Sequence, residues 1–259
     1  MKERFLCSLV SIFMLVTLAA CSTGGTDASP GANSESNSGQ QNSAEGPGAV
    51  PDSEPAVEAV EIVSEELQKY TDALDNSCAA YIAELKNTGT TAIQLNDISI
   101  DVEKADGTLL TTAELVSAYP NIIAPGETAY ICEEVVNGFS FENGIALEDI
   151  GTAILHYSVQ EHDAVEPLPV SITEAALGES YGSLNLTGRI TNDGDADLEN
   201  VCIAAAIRDA NGMLQNVIFT IVESLSAGET KGFEQMSLCG DMSLDFSAST
   251  VDASTYLLW

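Results

Sequence analysis

Basic residues are scarce in this chain: 8 Lys and Arg stand against 40 Asp and Glu, a formal net charge of -32. So few cations build no basic patch, which argues against nucleic-acid phosphates as partners. Anionic lipid surfaces and other polyanions are repelled for the same reason. There are 2 His, His156 and His162, close together, and no Cys-x-x-Cys pair, so no zinc site of ordinary ligand spacing is visible. Nucleophilic catalysis needs a nucleophile with a base in reach, and no Gly-x-Ser-x-Gly, Walker loop or dinucleotide fingerprint is present. Carboxylates are too many for any pair to stand out as a glycosidase pair. The sequence therefore assigns no catalytic, cofactor-binding or metal residue. Aromatic residues are few, which confines a sugar-binding platform to Tyr130, Phe139 and Phe141, residues that more often pack a core or loop. Long apolar runs are also missing, with one exception at the start.

That exception runs from Phe5 to Leu18, after Lys2 and Arg4 and before Ala19-Ala20-Cys21. A charged start, a short apolar core and small residues before the cut describe a secretory signal over residues 1–20. The run is short for a membrane span of about 20 residues. The Cys after the small residues resembles a bacterial lipobox, which implies cleavage before Cys21 and a diacylglyceryl group on its thiol. The expected location is the extracytoplasmic face of a bacterial cell membrane, with the membrane a partner through that lipid anchor. Residues 21–56 follow as a tether of Ser, Gly, Asn, Gln, Pro and Glu without Lys, Arg or aromatics. Such a segment cannot bury enough apolar surface to offset its ordering entropy. As a flexible coil it spans roughly 30–35 Å.

The remainder is organised by one stretch that occurs twice, Asn87 to Gly107 and Asn192 to Gly212. With Asn192 laid on Asn87, Tyr81, Ala83 and Leu85 fall on Leu186, Gly188 and Ile190. Between the latter lie Asn185, Thr187, Arg189 and Thr191, the alternation of a half-buried strand. Gly89 falls on Gly194 in a turn, and Ile98, Ile100 and Val102 fall on Ile203, Ala205 and Ile207 in a second strand. Asp106-Gly107 falls on Asn211-Gly212, a hairpin signal. After a slip of a few residues, Pro125-Gly126-Glu127-Thr128 meets Ala227-Gly228-Glu229-Thr230; loops absorb such slips. These features predict an all-β chain with two tandem immunoglobulin-like sandwiches of roughly 95 residues each, over 57–163 and 164–259.

Both copies resemble the FxLYD type of bacterial surface domain. The resemblance rests on the Asn-x-Gly turn, the strand Leu198, Val201, Ile203, the approach Asp209 to Gly212, and the late Leu225, Gly228, Glu229, Thr230. The signature's Phe, Leu, Tyr and Asp are replaced by Ala205, Ile207, Arg208 and Asp209 in the second copy, and by Ile100, Val102, Glu103 and Lys104 in the first. A CARDB-like adhesion module shares the turn order. Neither resemblance carries catalytic residues. The resemblance to a sandwich implies that Cys78 and Cys132 lie on neighbouring strands, point off the core and can pair. Cys202 and Cys239 form a weaker candidate pair, with Cys239 in a loop.

Other stretches carry narrower expectations. Ser64 to Leu74 has helical character and predicts a short helix or ordered loop, although Val60 and Ile62 match the strand-opening Val170 and Ile172. Ala153 to Val159 reads as a strand with His156 outward. Glu166-Pro167-Leu168-Pro169 restricts the connection between the copies to limited hinge motion. Trp259 is expected to pack at a sandwich end or domain junction. Asn192 to Asp197 holds three alternating carboxylates, which invites a Ca²⁺ reading. As an EF-hand it fails, with Leu198 at the Gly position and Ala204 at the Glu position, and a structural turn is favoured over a weak cation site. The function these features favour is a non-catalytic envelope lipoprotein that presents two sandwiches as a binding or scaffolding module, with a protein or glycan as partner. The alternatives are an enzyme or enzyme accessory using carboxylates between the domains, and a purely structural spacer.

Overall fold

Seven strands build the first copy: β1 (Val60–Thr71), β2 (Ser77–Asn87), β3 (Ala92–Glu103), β4 (Leu109–Ala113), β5 (Ile122–Ile123), β6 (Thr128–Val136) and β7 (Thr152–His162). Six build the second: β8 (Val170–Ser180), β9 (Ser183–Asn192), β10 (Leu198–Arg208), β11 (Leu214–Leu225), β12 (Thr230–Met236) and β13 (Thr250–Leu257). The structure is a computed structural model, and it describes residues 60–72, 75–137, 145–180 and 183–257. The signal, Cys21, the tether, Phe139, Phe141 and Trp259 lie outside those residues. Among the described residues the one helical element is a 3₁₀ turn, Leu147–Asp149. The chain is all-β, as its period-two patterning predicts.

The sheets match pair by pair. The first copy has β1-β2-β6 in one sheet and β3 flanked by β4 and β5 on one side and β7 on the other. The second has β8-β9-β12 in one sheet and β11-β10-β13 in the other. Every named pairing is antiparallel. Asn87 and Asn192 occupy equivalent places, each ending the central strand of one sheet where the chain crosses to the other. The two hairpins repeat as well: Gly107 donates to Lys104 at φ +82, and Gly212 donates to Asp209 at φ +83. An L side chain rarely adopts that backbone, so both turns call for Gly.

Alternation sorts the side chains into three apolar layers. Tyr81, Leu85 and Ile131 from β2 and β6 meet Ile93, Ile100 and Val102 from β3 in the first core. Leu186, Ile190 and Phe233 from β9 and β12 meet Val201, Ile203, Ile207 and Ile218 in the second. The opposite faces of two sheets form a third cluster: Ile82 and Tyr130 pack against Ala204, Ala206, Leu214 and Val217. The described residues therefore stack as four sheets within one compact unit. The central strands of two of them, β2 and β10, lie inside and are covered on both faces.

One local expectation is corrected. Ser64 to Thr71 is neither helix nor loop but part of β1, paired with β2 from Val60↔Asn87 to Thr71↔Ser77. Leu67 packs on the first core, while Gln68 on the other face is 5% exposed and reaches the second copy. Pairing with β2 satisfies the backbone, buries Gln68 on one face and partly buries Leu67 on the other, which outweighs a weak helical preference.

Candidate functional site

The place between the copies is filled. Ile82, Ala204 and Ala206 are each at most 1% exposed. The small Ala204 and Ala206 pack in one layer with Ile82 and Tyr130, and β11 runs nearest to β2 and β6. Tyr119 stacks on Phe219 at 4.2 Å and 17°, and Tyr256 continues the stack at 6.4 Å from Phe219. Glu84, on β2, receives both guanidinium arms of Arg208, on β10, each at 2.9 Å. That contact and burial act oppositely on Arg208; the Glu84 hydrogen bonds prevail and hold its pKa above the ordinary value. Gln68 on β1 donates to the Gln215 carbonyl at 2.8 Å and accepts from the Asp241 N–H at 2.9 Å. The sequence patterning does not predict this interface. Its one local signal is Arg208, a lone cation ending the unbroken apolar run Val201 to Ile207, since alternation vanishes where both faces of a strand are covered.

The acidic turn is held by the asparagine rather than by its carboxylates. Asn192 Nδ2 donates to the Ala196 and Leu225 carbonyls at 2.8 and 3.0 Å, and its Oδ1 accepts from Gly194 N–H at 2.9 Å. Asn87 does the same with Thr91, Ile123 and Gly89 at 2.8, 2.9 and 2.8 Å. Asp197 accepts from the Ala227 N–H at 2.9 Å, tying the turn to the Gly228 loop. Asp193 and Asp195 are exposed. Among the described residues no three His, Cys, Asp or Glu side chains are grouped to hold a metal ion.

The cysteines are not arranged as the sandwich resemblance implied. No disulfide joins Cys78, Cys132, Cys202 and Cys239. Cys132 stands opposite Ile82, four positions along β2 from Cys78. At ~3.3 Å per residue that is about 13 Å, well beyond the roughly 7 Å that a disulfide spans. The two cysteines do lie on neighbouring strands, but the register separates them. Cys202 packs opposite Tyr256 in the β10–β13 pair, and burial pushes its thiol up to about 11. Cys239, in the loop after β12, meets Cys132 instead, and that contact together with burial raises the Cys239 thiol.

The remaining candidates are dispersed. His156 lies outward on β7, with Nε2 3.1 Å from Asp101 Oδ2, and His162 contacts the Asp163 carbonyl. Tyr130, one of three residues considered for a sugar platform, is 3% exposed and packs between the copies. Two surface depressions lie elsewhere. One, of about 450 Å³, is lined by Asp97, Ser99, Glu114 and Leu115; Asp97 and Leu115 have φ of 52° and 59°, and Leu115 is 96% exposed. The other, of about 300 Å³, runs between Leu177, Leu184, Met242, Leu244 and Phe246.

No family model and no curated protein matches the chain. Among solved structures, dimeric latent PorU from Porphyromonas gingivalis aligns over 76% of this chain and 20% of its own, at 16% identity and a TM-score of 0.23. A beta-glucuronidase from glycoside hydrolase family 2 aligns over 62% of this chain and 20% of its own, at 16% identity and a TM-score of 0.19. A calcium-binding mutant of Bacteroides uniformis beta-glucuronidase 2 aligns over 65% and 23%, at 13% identity and 0.19. The aligned region is about a fifth of each of these proteins.

Proposed function

We propose that this chain is a lipid-anchored envelope protein whose two β-sandwiches act as one non-catalytic arm for binding or spacing at the bacterial surface. The observation that carries the reading is the packed interface between the copies. Alanines against Ile82, the aromatic stack and the forked Glu84–Arg208 pair bind the sandwiches face to face, so their loops project from a common body. Loops on a stiff frame are where binding residues tend to lie. Glu84, a carboxylate held between the copies, is engaged by Arg208, and apolar side chains pack in the same layer. The turn order that resembles FxLYD-type domains and the lipobox-like Leu18-Ala19-Ala20-Cys21 support the same reading.

Two experiments test it. Cys21→Ala is expected to release the protein into the medium or to leave an unprocessed precursor; unchanged membrane fractionation and migration would remove the anchor from the account. Crosslinking in intact cells, followed by isolation of the full chain, is expected to recover one protein or glycan reproducibly. Replacing the Asn192 to Asp197 turn or the Phe139 to Asn143 stretch should abolish that recovery. Turnover of a cell-wall or peptide substrate that a single Asp or Glu substitution abolishes would establish an enzyme instead.

A further inference from the structure

Cys132 and Cys239 come from different sandwiches and lie close together, the residue after Cys239 packing beside Ile82, which stands opposite Cys132. Cys132 sits within β6, opposite Ile82, and joins the layer between the copies. The loop bearing Cys239 is pinned from several sides. Its carbonyl accepts from Asn216 Nδ2 at 2.8 Å and from Ser237 Oγ at 2.9 Å. Two residues on, the Asp241 N–H donates to Gln68 Oε1 of the first sandwich. Between them Gly240 lies so close that a Cβ there would be 3.1 Å from Gln68 Oε1 and 3.6 Å from Ile82 Cδ1, the residue facing Cys132. A polar frame thus holds the Cys239 loop against the first sandwich, and Asn216 and Ser237, both buried, anchor it.

We propose that Cys132 and Cys239 are a disulfide-forming pair that staples the first sandwich to the second. The oxidant is a disulfide donor, such as a thiol–disulfide oxidoreductase of the cell envelope. One thiol loses its proton and attacks the donor sulfur, releasing one donor thiol and leaving a mixed disulfide. The second attacks that bond and releases the other donor thiol. Two protein thiols and one donor disulfide become one protein disulfide and two donor thiols, with electrons and protons balanced. The closed loop spans roughly a hundred residues, the length at which constraint of the unfolded chain is large. The neighbouring Cys132, burial and the nearby Glu133 and Glu134 carboxylates hold the Cys239 thiolate back. Closure inside the cell rests on the extracytoplasmic location proposed above; closure in the purified protein does not.

The test uses the purified full chain, from whichever cell fraction holds it, reduced and incubated with oxidised glutathione at pH 8. Remaining thiols are then capped with N-ethylmaleimide and the peptides mapped by mass spectrometry. The expected product links Cys132 to Cys239 and leaves Cys78 and Cys202 capped, with faster migration on a non-reducing gel and a Tm higher by roughly 5–10 °C. Cys239→Ser should abolish the fast band and Cys202→Ser should retain it; the wild-type map decides even if a variant misfolds. Linkage of Cys239 to Cys78 or Cys202, or four capped thiols after oxidation, would overturn the pair. A second sample is capped in intact cells before lysis. A bond already present there supports both readings. Capped thiols in cells that nonetheless close with glutathione disulfide support the pair and count against the location.

Discussion

Asn87 and Asn192 explain the most conspicuous feature of the repeat. Each is fully buried, yet every polar atom of its amide is used, across one turn and onto a neighbouring strand. Removing such an amide strands two carbonyls and one N–H away from water, and a buried polar group left unsatisfied costs about 1–3 kcal/mol. Asn192→Ala is therefore expected to lower stability by about 2–4 kcal/mol in urea unfolding, and Asn87→Ala by a similar amount. Asp195→Ala on the same turn should stay within about 0.5 kcal/mol; equal losses would return the role to the acidic cluster. Glu133 behaves differently. Burial, with the neighbouring Glu134, raises its carboxyl above the ordinary 4.5. A carboxyl raised on folding contributes stability that is fully present below the unfolded value and lost as pH rises through the folded one. At neutral pH the ionised Glu133 thus opposes folding. Glu133→Gln should raise Tm at pH 7 and leave it unchanged near pH 4; an equal gain at both would assign the effect to packing.

At the scale of elements, what the sequence makes legible depends on how many faces an element covers. The second copy's β9 shows clean alternation because one face is core and the other, with Thr187 and Arg189, is exposed. The equivalent β2 reads Cys78 to Ala83 without a polar residue, and all of it is buried. Alternation failed there because the second sandwich covers its outer face. The edge strand β1 was hardest, since its Ser-Glu-Glu-Leu segment carries a helical local preference that only pairing with β2 overrides. Between β9 and β12 the repeat shows a size exchange: Gly188 sits where the first copy has Ala83, and Phe233 lies over it. A Cβ on Gly188 would fall 2.8 Å from Phe233 Cε1. Gly188→Ala is expected to destabilise by about 1–3 kcal/mol through overpacking. Adding Phe233→Leu should recover part of that loss in a double-mutant cycle; simple additivity would show that the ring is not the obstacle.

For the whole molecule, the question is what joins the copies. The interface pairs unlike sheets, β1-β2-β6 of one sandwich with β11-β10-β13 of the other. Its charged element is Glu84, with 8% side-chain exposure, and Arg208, with 20%. Truncating one partner leaves a desolvated charge, so Arg208→Ala should cost about 3–5 kcal/mol. The double change Glu84→Leu with Arg208→Met should be neutral or stabilising, since apolar replacement of a buried pair often is. Chemical denaturation of the three proteins checks this. A loss below about 1 kcal/mol for Arg208→Ala would mean that the pair is solvated and that packing alone holds the sandwiches. The outer sheet faces carry residues such as Asp101, His156, Thr187 and Arg189, and a further copy stacked there would have to desolvate them.

The sequence by itself determined the all-β class, the equivalence of Asn87 with Asn192 and the glycine hairpins, because period-two alternation and turn chemistry are local and act over a few residues. Tertiary structure decided how the two sandwiches meet. The same structure decided that the register sets Cys132 opposite Ile82 and away from Cys78, that Ser64 to Thr71 is a strand, and that Arg208 lies in a largely buried ion pair. Each depends on a contact with another segment: pairing with β2 overrides the local preference of Ser64 to Thr71, and the contacts between the sandwiches leave only a loss of alternation in either segment. Two strands each buried on both faces look alike in sequence, and only their packing shows that they cover one another.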